Sequence, residues 1–276
     1  MQTIDALPEL IILAFLVSRG EAETDSWRLL DLEHSDAPSN LALEETIARQ
    51  VGEGKSPPTL RLWRNRNAAI IGENQSANAE LRLDACRELS VEVMRRFTGG
   101  GAVYQDLGNL NYSICARKSS SSSLGPQQAV FKRGLECAVA CLSTLGLESS
   151  RVPINTIVVR GKKISGGAGA IRWGAVFYHG SVLVSTDLEM VWKILRWEQP
   201  PVPRALVKST RLPVTSVKTE LGREIPIDQV KEALRDAFTG IFETQLVPGP
   251  ATDQELQMIP VLVKEKYGTT EWNLKM

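Results

Sequence analysis

The sequence is short of the residues that build metal and redox sites. It holds two histidines, His34 and His179, and four cysteines, Cys86, Cys115, Cys137 and Cys141. No CxxC pair occurs, and Cys137 with Cys141 have the i,i+4 spacing of one helix face. Buried thiols are therefore expected, a structural zinc site is poorly supplied, and a reducing cytoplasm fits. An excess of either charge is also missing. Thirty-two Lys+Arg balance 32 Asp+Glu, so no global field draws the chain to nucleic acid or to an anionic membrane, and any bound anion must be held locally. Long apolar runs are absent: Leu10 to Val17 falls far below the ~20 residues of a spanning helix. That run also lacks the basic flank of a secretory signal, so residues 1–24 are expected to form an apolar extension used for packing or oligomer contact. No repeat period is visible. What remains, 43% hydrophobic and 23% charged over 276 residues, is the composition of a soluble globular protein with one large domain.

Periodicity places the elements. Trp27 to Asp31 opens the globular region, and Ser39 to Val51 repeats Leu43, Ile47 and Val51 at i,i+4, with Ser39 or Asn40 available as cap. Thr59–Trp63 and Ala68–Ile71 read as strand, turn, strand around Arg64 to Asn67. Glu80 to Leu89 reads as a helix, Val91 to Phe97 as a strand running into Thr98-Gly-Gly-Gly101, and Ala102 to Gln105 and Asn109 to Ile114 as further strands. Ser119 to Ser123 mark a loop. Gln127 to Leu145 reads as a long helix, and Thr156–Val159 with Lys162–Ser165 as a hairpin about Arg160-Gly161. Ala175 to Val184 reads as a buried strand. Thr186-Asp-Leu-Glu189 has the form of a capping box before a helix with Val191, Ile194 and Leu195. A Pro-rich loop from Pro200 to Pro213 and an amphipathic helix from Asp228 to Phe242 follow. Strands in hairpins without βαβ alternation predict an α+β fold with a mixed or antiparallel sheet flanked by helices.

Three constellations carry chemistry. In Arg95-Arg-Phe-Thr-Gly-Gly-Gly-Ala-Val-Tyr104 the glycines let backbone N–H groups approach a phosphate, and strand alternation sends Arg95 and Arg96 to opposite faces, one toward a cleft. This is neither a Walker loop nor a Rossmann fingerprint. In Gly161-Lys-Lys-Ile-Ser-Gly-Gly167 the same alternation directs only one of Lys162 and Lys163 to a site. A lysine there can place its charge between a carboxylate and a phosphate. The third is His179 in Tyr178-His-Gly-Ser181, which in a buried strand can equally be a structural residue with both nitrogens bonded.

Together these segments resemble the lipoate–protein ligases of the biotin/lipoyl protein ligase superfamily, from about Trp27 to Phe242. Asn40 to Glu45, Ile71 to Gln75, Arg95 to Tyr104 continuing through Asp106 to Asn111, Lys163 to Gly166, and His179 to Leu183 with Asp187-Leu188 occur in the family's order and approximate spacing. The resemblance implies the biotin/lipoyl ligase catalytic fold over residues 25–247 and ATP-dependent attachment of lipoate, or octanoate, to a lysine of a carrier, through lipoyl-AMP. It assigns Lys163 to catalysis. ATP and the adenylate fall to Arg96, Gly99, Gly100, Gly101, Ala102, Val103, Tyr104, Asn155 and Lys163, and lipoate to Lys163, Gly166 and His179. Mg2+ would arrive with ATP, with no metal ligands of the protein's own. The implied partners are a lipoyl carrier, namely a 2-oxoacid dehydrogenase lipoyl domain, a glycine cleavage H protein or an H-like lipoate-binding protein; no nucleic acid or membrane partner is implied.

The sequence also departs from the family pattern. Gln105 replaces the usual His, Thr156 the usual Asp, and Gly167-Ala-Gly169 the common Ser-Ala-Gln, which is expected to remove polar groups near the acyl or ribose end. Residues 248–276 are expected to be a tail, the remnant of or docking segment for an accessory domain. That domain, which in the family follows the equivalent of Lys264-Glu-Lys-Tyr267 to Glu271-Trp-Asn273, is expected to be absent. A small companion subunit is therefore implied, covering Ile259, Val261 and Leu262. The rivals are an octanoyl or lipoyl transferase using a cysteine thioester, although Arg151 to Met276 holds no cysteine, and a non-catalytic adenylate- or carrier-binding subunit. A biotin ligase lacks support, since no GRGRxGRxW-type loop is present.

Overall fold

A computed structural model describes residues 26–118, 127–153 and 155–275; the Leu10–Val17 run and the five serines lie outside the described residues. In chain order the elements are β1 (Ser26–Asp31), α1 (Ala37–Gly52), β2 (Thr59–Trp63), β3 (Asn67–Ile71), α2 (Ala77–Glu80), α3 (Leu83–Glu88), β4 (Glu92–Arg95), β5 (Val103–Asp106), β6 (Asn109–Arg117) and α4 (Gln127–Thr144). There follow β7 (Ser150–Val152), β8 (Thr156–Val159), β9 (Lys162–Arg172), β10 (Ala175–Leu183), α5 (Leu188–Ile194), α6 (Val217–Leu221), α7 (Ile227–Phe242), β11 (Gln245–Pro248), α8 (Asp253–Leu262), a π-helical turn (Val263–Tyr267) and α9 (Thr270–Asn273).

The strands form two sheets: a large one ordered β11-β1-β2-β6-β10-β9-β8-β7, and a small one ordered β4-β3-β5. β1 runs parallel to β11 and β2, and β3 parallel to β4. The other pairings are antiparallel, giving the expected α+β fold with mixed sheets and flanking helices. Alternation divides the faces of the large sheet. Leu110, Tyr112 and Ile114 of β6 and Val176, Tyr178 and Val182 of β10 pack against α4 and α7. Cys115 and Phe177 pack on the opposite side, with α1 and the C-terminal helices. Among the described residues no helix is long and apolar enough to cross a membrane.

Several local readings are corrected. Thr59–Trp63 and Ala68–Ile71 are strands, but β2 lies in the large sheet and β3 in the small one. The turn between them is tied to α1 by Asn40, which donates to Arg64 O at 3.2 Å and Asn65 Oδ1 at 2.9 Å. The cap of α1 is Asp36, accepting from Ser39 N at 2.8 Å. The helix expected over Glu80 to Leu89 is broken, because Leu81 bridges to Leu195 and leaves the helical path between α2 and α3. Asp187 caps α5, accepting from Glu189 N at 2.9 Å, so Thr186 makes no capping box. At the C-terminus Ile259 and Leu262 are already buried and only Val261 is half exposed, which removes the apolar patch expected for a companion. Buried Arg28–Glu255, at 2.7 Å, and Tyr267 Oη donating to Glu45 Oε2 at 2.7 Å pin α8 and the π turn to the body.

Candidate active site

A cavity of about 420 Å3 lies between the two sheets, walled by β9 and β10 on one side, β3 and β5 on the other, and closed by the segment from Trp197 to Val214. The glycine loop after β4 forms one end. Gly100 takes φ +86°, and a Cβ there would meet Arg96 Nη2 at 2.9 Å and Ala168 Cβ at 3.2 Å, so glycine is needed both for backbone geometry and to seat the arginine. Arg96 is buried and bonded to Thr98 Oγ1 at 3.0 Å, Gly99 O at 2.5 Å and Gly101 O at 2.9 Å. With no carboxylate beside it, burial alone pulls its pKa down to about 10. Arg95 goes the other way, into a cage of carbonyls from Gly72, Glu73, Gln75, Trp272, Asn273 and Lys275.

Gly100, Gly101, Ala102 and Val103 line the cavity with Arg96. Gly99 and Tyr104 do not. The Gly99 carbonyl serves Arg96, and the Tyr104 hydroxyl donates to Asn67 Oδ1 at 3.0 Å on the other face of the small sheet. Asn155 lines the cavity, and its carbonyl receives Gly167 N at 2.9 Å.

Lys163 reaches the cavity through an irregularity. Cavity-facing positions on β9 are Gly166 and Ala168, and strict period-two alternation would add Lys162, not Lys163. The pairing shifts between Ile157↔Ser165 and Val158↔Lys163, so Ile164 is an extra residue, a β-bulge that moves Lys163 to the cavity face. Lys162 is exposed. No acceptor binds the Lys163 ammonium among the described residues. Burial first, then Arg96 and Arg211, lower its pKa to about 8.

His179 lines the cavity with both ring nitrogens in use. Nδ1 meets Glu44 Oε2 at 2.8 Å and Nε2 meets Thr98 Oγ1 at 2.8 Å. The carboxylate accepts from Nδ1–H, which leaves Nε2 to receive the Thr98 hydroxyl proton. Glu44 is also held by Ser113 at 2.5 Å and by Arg61 at 3.4 Å. His179 thus anchors Thr98, and through it Arg96, rather than offering a free nitrogen.

The departures from the family pattern acquire physical reasons. A Cβ on Gly167 would collide with the Tyr178 hydroxyl, and one on Gly169 would lie 2.6 Å from the Phe131 ring. These glycines answer to α4 and β10, and only Ala168 of the three has its side chain toward the cavity. Gln105 remains a polar cavity wall, accepting from Asn65 at 2.7 Å and donating to Asn111 at 2.8 Å. Thr156, in place of the usual Asp, also lines the cavity, so a carboxylate is exchanged there for a hydroxyl.

Sequence reasoning missed Glu80, Ser209 and Arg211. Arg211 lines the cavity, and its guanidinium is bonded to buried Glu80 Oε2 at 2.7 Å. It sits in a Pro-rich loop with no motif, and only its charge could have drawn attention. Arg96, Lys163, Lys208 and Arg211 line the cavity with no Asp, Glu or Cys among the described lining residues. Cys86, Cys115, Cys137 and Cys141 are all buried elsewhere. Burial pushes the Cys86 thiol up to about 11 and Cys141 to about 12, and raises Cys115 and Cys137 as well. Among the described residues no group of three or more His, Cys, Asp or Glu could hold a metal ion.

A cationic cavity beside a glycine loop, with an apolar wall of Leu41, Trp63 and Ile70, offers charge to anionic oxygens at one part and apolar surface to a hydrocarbon chain at another. The chain belongs to the lipoyl protein ligase A/B catalytic domain family, whose profile matches residues 36–239. It is 35% identical over 258 residues to lipoate-protein ligase A subunit 1 of Thermoplasma acidophilum, covering 90% of this chain and 96% of the relative. It is also 29% identical over 278 residues to octanoyltransferase LipM of Brevibacillus brevis, covering 91% and 99%. Among solved structures, a lipoate-protein ligase A bound with ATP matches with TM-score 0.76 and 32% identity, covering 90% of this chain and 98% of that one. A bi-partite lipoate protein ligase studied with its E2 lipoyl domain, from T. acidophilum, matches with TM-score 0.75 and 32% identity, covering 90% and 96%.

Proposed function

We propose that this chain is an ATP-dependent lipoate–protein ligase. The observation that carries the reading is the cation-lined cavity, which has neither carboxylate nor thiol among its described lining residues. A carboxylate oxygen of lipoate, or octanoate, attacks the α-phosphorus of Mg-ATP, pyrophosphate leaves, and acyl-AMP remains. The ε-amine of a carrier lysine then attacks the acyl carbonyl carbon, AMP leaves, and the amine proton passes to solvent. Lys163, whose ammonium has no acceptor among the described residues, holds its charge between the carboxylate and the α-phosphate. Arg96 and the amides of Gly100 to Val103 hold phosphoryl oxygens, donors fixed before charge develops. Asn155 lies at the nucleotide side. Gly166 leaves room for the Lys163 side chain, since a Cβ there would meet its Nζ at 3.0 Å. Mg2+ is carried by the triphosphate.

The partner is a lipoyl carrier domain, as in the bi-partite relative, and a small companion polypeptide raises the adenylation step. Octanoyl transfer, the activity in the name of the LipM relatives, would need a thiol at the acyl end if it ran through a cysteine thioester, and the four cysteines lie outside this cavity. The test is the mass of a lipoyl carrier domain after incubation with the chain and either ATP, Mg2+ and lipoate or an octanoylated donor carrier. ATP-dependent addition of the lipoyl mass supports ligation. Acylation from the donor carrier without ATP makes the chain a transferase, and acylation from neither makes it a binding subunit.

A further inference from the structure

Among the described residues β4 is an edge strand of the small sheet, paired on one side with β3. Arg95 stands opposite Ile71 in that pairing, yet it is the Arg96 amide that donates to Ile71 O, at 3.1 Å. Arg95 turns its own N–H and C=O outward, to the edge where a further strand would pair. Two side chains of α9 take that place. Asn273 Oδ1 accepts from Arg95 N at 2.9 Å, and Trp272 Nε1 donates to Arg95 O at 2.7 Å. The fully buried guanidinium then ties the same segment to the turn after β3. Nε donates to Trp272 O at 2.9 Å and Nη2 to Lys275 O at 2.6 Å, while Nη1 donates to Glu73 O at 2.9 Å and Gln75 O at 2.6 Å. That turn is the bed of the glycine loop: Glu73 N donates to Thr98 O at 2.8 Å, and a Cβ on Gly72 would collide with the Gly100 carbonyl. The segment is also held to α1. The ammonium groups of Lys266 and Lys275 lie 4.1 and 3.8 Å from the Trp272 ring centroid, and Lys266 meets Glu45 at 2.5 Å.

We propose that Arg95 is a positioning residue for the cavity, and that Trp272 and Asn273 act through it as a clasp that holds Arg96 and the glycine loop in place. This rests on the reading of that loop as the phosphate end. The clasp needs a fork. One planar cation spans two sets of carbonyls that are far apart in sequence, whereas a lysine, with a single nitrogen, can serve only one of them. Register is the quantity it controls. Arg96 follows Arg95 by one backbone step and lines the cavity, so a shift of Arg95 along the sheet edge moves Arg96 with it.

In the full chain, Trp272→Phe removes the indole N–H and keeps the ring, and Asn273→Ala removes the amide. Both are expected to speed hydrogen exchange at the Glu73 and Arg96 amides about 3- to 10-fold, the effect of one lost hydrogen bond, with the β10 amides unchanged. In lipoate-dependent ATP–pyrophosphate exchange, KM for ATP is expected to rise by a similar factor while KM for lipoate stays within about twofold of wild type. Arg95→Lys, which keeps the charge and loses the fork, is expected to raise KM for ATP at least as far. Amide exchange that quickens equally in β10 makes the segment a contributor to stability alone and overturns the proposal, as does unchanged exchange at Glu73 and Arg96. A wild-type KM for ATP in Arg95→Lys shows that charge suffices and overturns the fork. Faster amide exchange at Glu73 and Arg96, in a protein whose wild type shows no ATP–pyrophosphate exchange, supports the clasp and refutes the ligase reading. A wild type active in that assay, with KM for ATP unchanged in all three variants, does the opposite.

Discussion

The two faces of β9 are built from the same few residues and do different work. Toward the cavity stand Lys163, Gly166 and Ala168, where the Lys163 ammonium, with no acceptor among the described residues, feels the charges of Arg96 and Arg211. Toward α4 and α7 stand Ile164 and the positions a Cβ would take on Gly167 and Gly169, each decided by contact with Tyr178, Phe131 or the core, although the Gly167 backbone also borders the cavity. The bulge at Ile164 is the join between them. One extra residue lets a buried isoleucine and a cavity lysine be neighbours in sequence. A glycine-rich strand carrying a cavity lysine invites a single explanation, yet two of its three glycines, Gly167 and Gly169, serve packing.

The largest effect that separates the faces is expected from Lys163→Ala. Loss of a charge held against the developing transition state costs on the order of 3 kcal/mol, at least 10²-fold in lipoate-dependent ATP–pyrophosphate exchange, with the fold unchanged. Gly167→Ser, on the other face, is expected to lower stability by about 1–3 kcal/mol through overpacking against the Tyr178 hydroxyl. Denaturant unfolding measures it, and adding Tyr178→Phe recovers part of the loss. Equal damage to binding from both substitutions would erase the distinction between the faces.

A smaller effect follows from the depressed Lys163 pKa. Its folded value, about 8, lies below the ordinary 10.5, so between those limits the unfolded chain binds more protons and stability rises with pH. Below pH 8 the folded protein bears the full cost of burying the charged amine. Lys163→Met is therefore expected to melt about 2–4 °C higher at pH 7, the shift of ~1 kcal/mol in a chain of this size. The gap narrows toward pH 10.5. In the wild type, affinity for tripolyphosphate falls as pH passes about 8, and Lys163→Met abolishes that step. The smallest change is expected from Lys162→Ala, on the exposed side of the hairpin, with ATP–pyrophosphate exchange within about twofold of wild type.

The same contrast shows what the sequence could reveal. Apolar periodicity located β2, β6, β10, α1, α4 and α7, because each has one face that must be buried. It could not assign β3 to a second sheet, since the Asn40–Asn65 tie that redirects the chain joins residues 25 apart. Alternation said that one of Lys162 and Lys163 faces the site. Counted from Gly166 it would have chosen Lys162, and the family resemblance selected Lys163. Arg96 and Gly100 were legible as residues of a cleft, and both line the cavity. Tyr104 was drawn in by its place in the motif, although its side chain points away from the cavity. Glu80, Ser209 and Arg211 were not legible, because their partnership spans about 130 residues and leaves no local pattern.

One single-turnover measurement tests adenylation in this cavity most directly. The chain, lipoate and Mg-ATP are mixed without carrier, quenched in acid, and analysed by intact mass. The expected result is lipoyl-AMP bound to a protein of unchanged mass, absent in Lys163→Ala. A protein heavier by one acyl group on a cysteine, with no lipoyl-AMP, would contradict it and make this cavity the site of a transferase.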